Sequence, residues 1–190
     1  MSPSTGVIVT TLVKAKQKPL PGSSTQTPLR ERVQQTSRKY QSLIVLVSES
    51  NQAGEFSSNH SSSDMAAYAD FVRFAASLDA EVVTCLVPGA DRTLSEWILS
   101  LLCRQSSQSA ALGHLVTSAE TSWDLFLRRA GLNVFAAQVL SGTLVDEFGH
   151  AGLAQFLAMP TRTKVSKYAQ LVGGERALVN CCEVLDRGWA

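Results

Sequence analysis

Two uninterrupted apolar runs, each followed by an amphipathic stretch, set the pattern of the first half of the chain. Leu43-Ile44-Val45-Leu46-Val47 and Val82-Val83-Thr84-Cys85-Leu86-Val87 are short, rich in β-branched residues and bounded by polar or Pro-Gly punctuation. Runs of this kind predict strands covered on both faces. After the first, Met65, Tyr68, Phe71, Val72, Ala75 and Leu78 recur at helical spacing, with Asp64 as the expected N-cap. After the second, Leu94, Trp97, Ile98, Leu101 and Leu102 repeat that spacing behind Thr93, and the same five side chains are the expected buried stripe. Upstream, Leu29 to Tyr40 is helix-like, and Val7 to Val13 suits a short strand. A strand, helix, strand, helix series predicts an α/β fold with a parallel sheet and right-handed crossovers.

The last seventy residues change period and carry one design twice. Trp123 to Arg129 is an amphipathic helix, Ala130-Gly131-Leu132-Asn133 a tight turn, and Val134 to Leu140 a return helix. Thr161 to Leu171, Val172-Gly173-Gly174-Glu175 and Arg176 to Leu185 repeat the arrangement. A tight turn into a helix can leave backbone N–H groups unspent, and these with the helix dipole favour an anion such as phosphate. The second half is therefore expected to be an all-α tandem helix-hairpin-helix domain. Asn133 is expected to cap the first return helix, and Gly173-Gly174 to let a ligand approach the backbone closely.

The predicted domains are a flexible basic lead-in over residues 1–27, an α/β domain over 28–108, a linker over 109–119 and the paired hairpins over 120–190. With 190 residues and 45% hydrophobic content, the chain can pack a core. No apolar run approaches the roughly 20 residues of a membrane span, and no secretory core opens the chain, so an intracellular protein is expected. Cys85, Cys103, Cys181 and Cys182 lack CxxC spacing and lie far from His60, His114 and His150. Neither a metal site nor a cofactor motif is expected, and the Cys181-Cys182 pair reads as buried thiols.

The net charge of +1 hides an uneven distribution. Residues 1–40 hold seven basic side chains against Glu31 alone, residues 41–110 three against eight, and residues 111–190 seven against seven. The middle is thus a poor polyanion binder, while Arg128, Arg129, Lys167 and Arg176 lie near the two Gly turns. Candidate DNA-contacting residues are Arg128, Arg129, Gly131, Asn133, Lys167, Gly173, Gly174 and Arg176. Glu49 and Asp91, at the ends of the two strands, read as solvated strand ends in preference to a catalytic pair. No GxSxG elbow supports a nucleophile.

Taken in order, LRERVQQTSRKYQSLIVLV (residues 29–47), Phe56-Ser57, the long helix, EVVTCLV, TLSEWILSLL and the Gly131 and Gly173-Gly174 turns resemble the XPF family of structure-specific nucleases and their pseudo-nuclease relatives. The likeness spans about residues 29–190. It implies a nuclease-like α/β domain followed by tandem helix-hairpin-helix motifs. Active members carry Glu-Arg-Lys and then Asp, since carboxylates must hold the divalent metal that activates water. This chain has Lys14-Ala15-Lys16-Gln17-Lys18-Pro19-Leu20 in that place, and no acidic residue before Glu31.

The departure implies a pseudo-nuclease with no catalytic residues and no metal. The resemblance further implies a nuclear subunit that binds branched or duplex DNA in a heterodimer with another XPF-type or smaller non-catalytic subunit. Its size and lost motif are closest to the meiotic crossover factors of this family, with other recombination and repair roles open. The contrasting expectation is a protein scaffold that uses the hairpins without touching DNA.

Overall fold

The computed structural model describes residues 2–19, 26–49, 60–89, 91–109 and 119–187. They form two compact units. One contains residues 6–37 and 42–104; the other contains residues 1–5, 38–41 and 105–190.

The first unit is mixed α/β. Strands β1 (Thr5–Thr11), β2 (Ser42–Ser48) and β3 (Glu81–Val87) form one sheet in that order. β2 and β3 pair in parallel, from Ser42 opposite Glu81 to Ser48 opposite Val87. Helices α1 (Leu12–Lys16), α2 (Pro28–Ser37) and α3 (Ser62–Ala76) contribute Leu12, Leu29, Val33 and Phe71 to a core that also holds Ile8 of β1 and Leu43, Val45 and Val47 of β2. Alternate residues of β2 point to that side, so all three helices cover one face of the sheet.

Three expectations need correction here. Residues 1–27 are not simply a lead-in. Thr5–Thr11 joins the sheet, Thr11 caps α1 by accepting from the Lys14 N–H at 3.3 Å, and Ile8 and Leu12 are buried. The Thr-rich composition resembles a polar tail, but a Thr side chain packs well on a pleated strand. Asp64 is not the N-cap of α3: Ser61 is, and Asp64 stands three positions later, where its carboxylate accepts the Ser61 N–H at 2.9 Å. This reciprocal arrangement is a capping box. Finally, α4 (Asp91–Ser109) begins before Thr93 and none of its residues from 91 to 104 is buried. Its helical period is real, yet of the expected stripe Leu94, Ile98 and Leu101 are only half-buried, and Trp97 and Leu102 are exposed.

The second unit is helical. It contains α5 (Ser122–Arg129), α6 (Val134–Phe148), a short 3-10 turn at Gly149–Ala151, α7 (Gly152–Ala158), α8 (Thr161–Tyr168) and α9 (Glu175–Asp186). Leu127, Leu132, Leu140, Leu144, Phe156, Tyr168, Val172 and Leu178 belong to its core, drawn from all five α-helices and from the two Gly turns. Each such side chain contributes roughly 1.5–3 kcal/mol on burial. The expected linker at 109–119 falls mostly on residues 110–118, which lie outside the described residues, as do Phe56-Ser57; α4 itself runs to Ser109. Among the described residues no helix is long and apolar enough to cross a membrane.

Candidate nucleic-acid interface

The two hairpins are built by one local rule. At the first, Leu132 N–H donates to the Leu127 carbonyl and Gly131 N–H to the Arg128 carbonyl, both at 3.1 Å, with Gly131 at φ +112°. This is the glycine-closed helix end in which bonds spanning five and three residues satisfy the last carbonyls. At the second, Gly174 N–H donates to the Ala169 carbonyl at 2.8 Å, with Gly173 at φ +87°. The N–H groups of Gly131 and Gly174 are thus spent inside the turns, contrary to the expectation that both would be available to a ligand.

The turns differ in what surrounds them. A Cβ at Gly131 would meet nothing within 4 Å. A Cβ at Gly173 would overlap the backbone of Pro3 and Ser4, and one at Gly174 would come within 2.7 Å of Gln41 Oε1. The close backbone approach that the paired glycines allow is therefore made by the chain's own segments.

Residues 3–4 and 38–41 form a short framework between the hairpins, joined by Gln41 N–H donating to the Ser4 carbonyl at 3.0 Å. Asn133, buried, donates through Nδ2 to the carbonyls of Pro3 at 2.9 Å and Lys39 at 3.0 Å. Its Oδ1 accepts the Ala136 N–H at 2.9 Å, so it caps α6 as expected while anchoring both segments. Arg176 donates to the Tyr40 carbonyl, and Asn180 Nδ2 to the Arg38 carbonyl at 3.1 Å.

Of the remaining candidates, Arg128 pairs with Glu120 and is half-exposed. Arg129 is exposed at the end of α5, beside the open Gly131 turn. Lys167 is engaged: its Nζ lies 2.6 Å from Glu147 Oε2 and sits over the rings of Phe148 and Tyr168 at 4.9 and 5.1 Å. The Lys167 ammonium holds the Glu147 carboxyl below its usual range, and Glu147 in turn raises Lys167. The structure thus groups Arg128, Arg129 and Gly131 at one turn and commits Asn133, Gly173, Gly174 and Arg176 to internal anchoring.

Glu49 is not a solvated strand end. Its carboxylate lies 2.5 Å from His60 Nε2 and accepts the Gly89 N–H at 3.1 Å, joining the ends of β2 and β3. Asp91 opens α4. Among the described residues no group of three His, Cys, Asp or Glu side chains converges as a metal site would.

A family described as "Domain of unknown function (DUF7102)" matches residues 1–112, more than half of the chain. The chain belongs to the DUF7102 family. Residues 117–185, the hairpin region, match a second description, "SAM-like domain". The solved structure of XPF from Aeropyrum pernix is similar at a TM-score of 0.37 and 15% identity, over 100% of this chain and 82% of that one. No curated protein matches in sequence. The boundary between the two family matches falls in the stretch that joins α4 to α5.

Proposed function

We propose that this DUF7102 member is a non-catalytic subunit of a two-protein assembly that binds branched or duplex DNA in recombination or repair. The observation that carries the two-protein reading is the uncovered apolar surface of α4 and β3. Leu99 is 61% exposed, Leu102 44% and Trp97 39%, and Val83 of β3 is 44% exposed. Leu99 and Leu102, three positions apart, share one face of α4, and exposed apolar side chains of this kind are costly to leave in water and suit a protein partner. By the sequence resemblance, that partner is of XPF type or a smaller non-catalytic relative, the setting nuclear, and the process meiotic crossover formation.

DNA contact in this reading falls on the first hairpin, where Arg128, Arg129 and the open Gly131 turn stand together. Contacts to phosphate position such a protein, and branch geometry in place of base identity sets its preference. The absence of acidic residues before Glu31 supports the non-catalytic assignment. The closed second turn favours the scaffold reading over a two-turn DNA grip, so DNA binding itself must be tested.

A titration of the chain, alone and with an XPF-type partner, against duplex, single-stranded and four-way-junction DNA with magnesium separates these outcomes. Junction-selective binding without cleavage, strengthened by the partner, is expected. Partner binding with no DNA retention would leave the scaffold, and metal-dependent cutting would overturn the non-catalytic assignment.

A further inference from the structure

The α/β unit segregates its charge. Residues 12–19, 28–37 and 62–76, which form α1 with its exit, α2 and α3, hold six basic side chains against three acidic ones. The remainder of the unit holds two basic against six acidic. A nearly neutral unit therefore carries a net +3 on the helices that cover one sheet face and −4 elsewhere.

The acidic side chains of this helical layer do not cancel its bases evenly. Asp64 of α3 takes Lys16 of α1, and Asp70 of α3 takes Arg30 of α2 at 2.5 Å, with Arg73 at 3.7 Å from the same carboxyl group. Arg30 also lies over the Phe74 ring at 5.1 Å. These pairs show that α1 and α2 both adjoin α3. Lys14, Lys18 and Arg32 are exposed, and among the described residues none has a carboxylate within 4.0 Å. The ion pairs thus engage Lys16, Arg30 and Arg73 and leave three bases facing solvent.

We infer that the α1–α2–α3 layer is a second polyanion-binding surface, with Lys14, Lys18 and Arg32 contacting the phosphate backbone of DNA. Unpaired bases on a low-acid surface attract phosphates by releasing condensed counterions, with no need for base recognition. The occupant is a nucleic-acid backbone because its charges repeat at short intervals and can meet several dispersed bases at once. The inference rests on the reading that the chain binds DNA, and adds a contact surface distinct from the first hairpin.

The test uses the full chain with duplex and four-way-junction DNA between 50 and 200 mM salt. Three charge-reversal variants are compared: Lys14→Glu/Lys18→Glu/Arg32→Glu, Arg128→Glu/Arg129→Glu, and Arg92→Glu/Arg162→Glu/Arg187→Glu as an exposed set of bases elsewhere. If all three layer bases meet phosphates, wild-type affinity should fall roughly 40-fold more over this salt range than that of the layer variant. The third variant should keep the wild-type slope, and thermal melts should stay within a few degrees for all.

A layer variant that binds like wild type, while the Arg128/Arg129 variant loses affinity, would overturn the inference and leave the proposed function standing. Equal losses in the layer and Arg92/Arg162/Arg187 variants would also overturn it, as an effect of net charge alone. If no form retains DNA, both readings fall, and wild-type binding to anionic lipid vesicles abolished by the layer variant would assign the surface to a membrane.

Discussion

The side-chain amide of Asn133 donates to the backbone carbonyl of Pro3 at 2.9 Å, across 130 positions of sequence. Its second N–H serves Lys39 and its oxygen caps α6, so one small side chain satisfies three backbone groups. Asn133→Asp retains the cap acceptor but replaces both donors with oxygen facing two carbonyls. A buried acceptor left without its donor costs about 1–3 kcal/mol. The expected loss is about 2–4 kcal/mol in urea unfolding, close to that of Asn133→Ala. If Asp at this position is neutral, capping alone explains the residue and the anchoring of residues 3 and 39 is unimportant.

Gly131 and Gly173 separate backbone strain from close packing. Both have positive φ, which an L side chain adopts at a cost of about 1 kcal/mol or somewhat more. Gly131→Ala meets open space and should cost about that much. Gly173→Ala adds overlap with the Pro3–Ser4 backbone, which cannot rotate away as a side-chain tip would. It should cost about 3 kcal/mol or more. Equal destabilisation of the two variants would show that residues 3–4 do not occupy the second turn in solution.

This contrast also explains what was legible in the sequence. Leu43 to Val47 and Val82 to Val87 read directly as strands because a short β-branched run has few other stable uses, and Gly131 and Gly173 read as turns because a positive φ leaves few residue choices. What approaches a glycine is set by tertiary structure: Gly173-Gly174 signalled a close approach, and the chain's own Pro3-Ser4 and Gln41 make it. Trp97, Ile98 and Leu101 likewise announced an apolar stripe on α4, though periodicity cannot say what covers it. Thr5–Thr11 was partly hidden because its burial depends on the strand beside it.

The Glu147–Lys167 pair gives a pH signature. Glu147 is held below its ordinary 4.5, so its contribution is present above that value and is lost as pH falls through the lower folded-state value. Lys167 is raised above its ordinary 10.5, so its contribution is present below 10.5 and is lost as pH rises through the higher folded-state value. The pair is exposed enough that solvent and salt screen it, and its effect is small. Thermal melts of wild type and Glu147→Gln should differ most between these limits and converge at both extremes. A difference that persists unchanged at pH 3 would assign the effect to packing against Tyr168.

Cys181 and Cys182 are buried in the helical core, and burial pushes the Cys181 thiol up to about 12, with the neighbouring Cys182 adding to the rise. The thiolate is the reactive form, so both should be inert to a disulfide reagent at pH 8 in the folded chain. Exposed Cys103 should react quickly, half-buried Cys85 more slowly, and all four only after denaturation. Rapid native labelling of Cys181 would show that the α8–α9 hairpin opens readily and that its packing is looser than the structure describes.

Leu99 offers the most direct test of the partner surface, because it is 61% exposed and shares a face of α4 with exposed Leu102. In the isolated chain, Leu99→Asp removes no buried contact and should leave unfolding within about 0.5 kcal/mol of wild type. In a complex that seats α4, the same change places an unpaired carboxylate in a desolvated contact. A central interface side chain of this kind contributes about 2 kcal/mol or more, so partner affinity should fall roughly 30-fold. Sedimentation velocity of the co-expressed pair, with Val134→Asp as an exposed apolar position on the other unit, checks the result. Retained pairing in Leu99→Asp together with loss in Val134→Asp would move the interface from α4 to the first hairpin, where it would compete with DNA for the same turn.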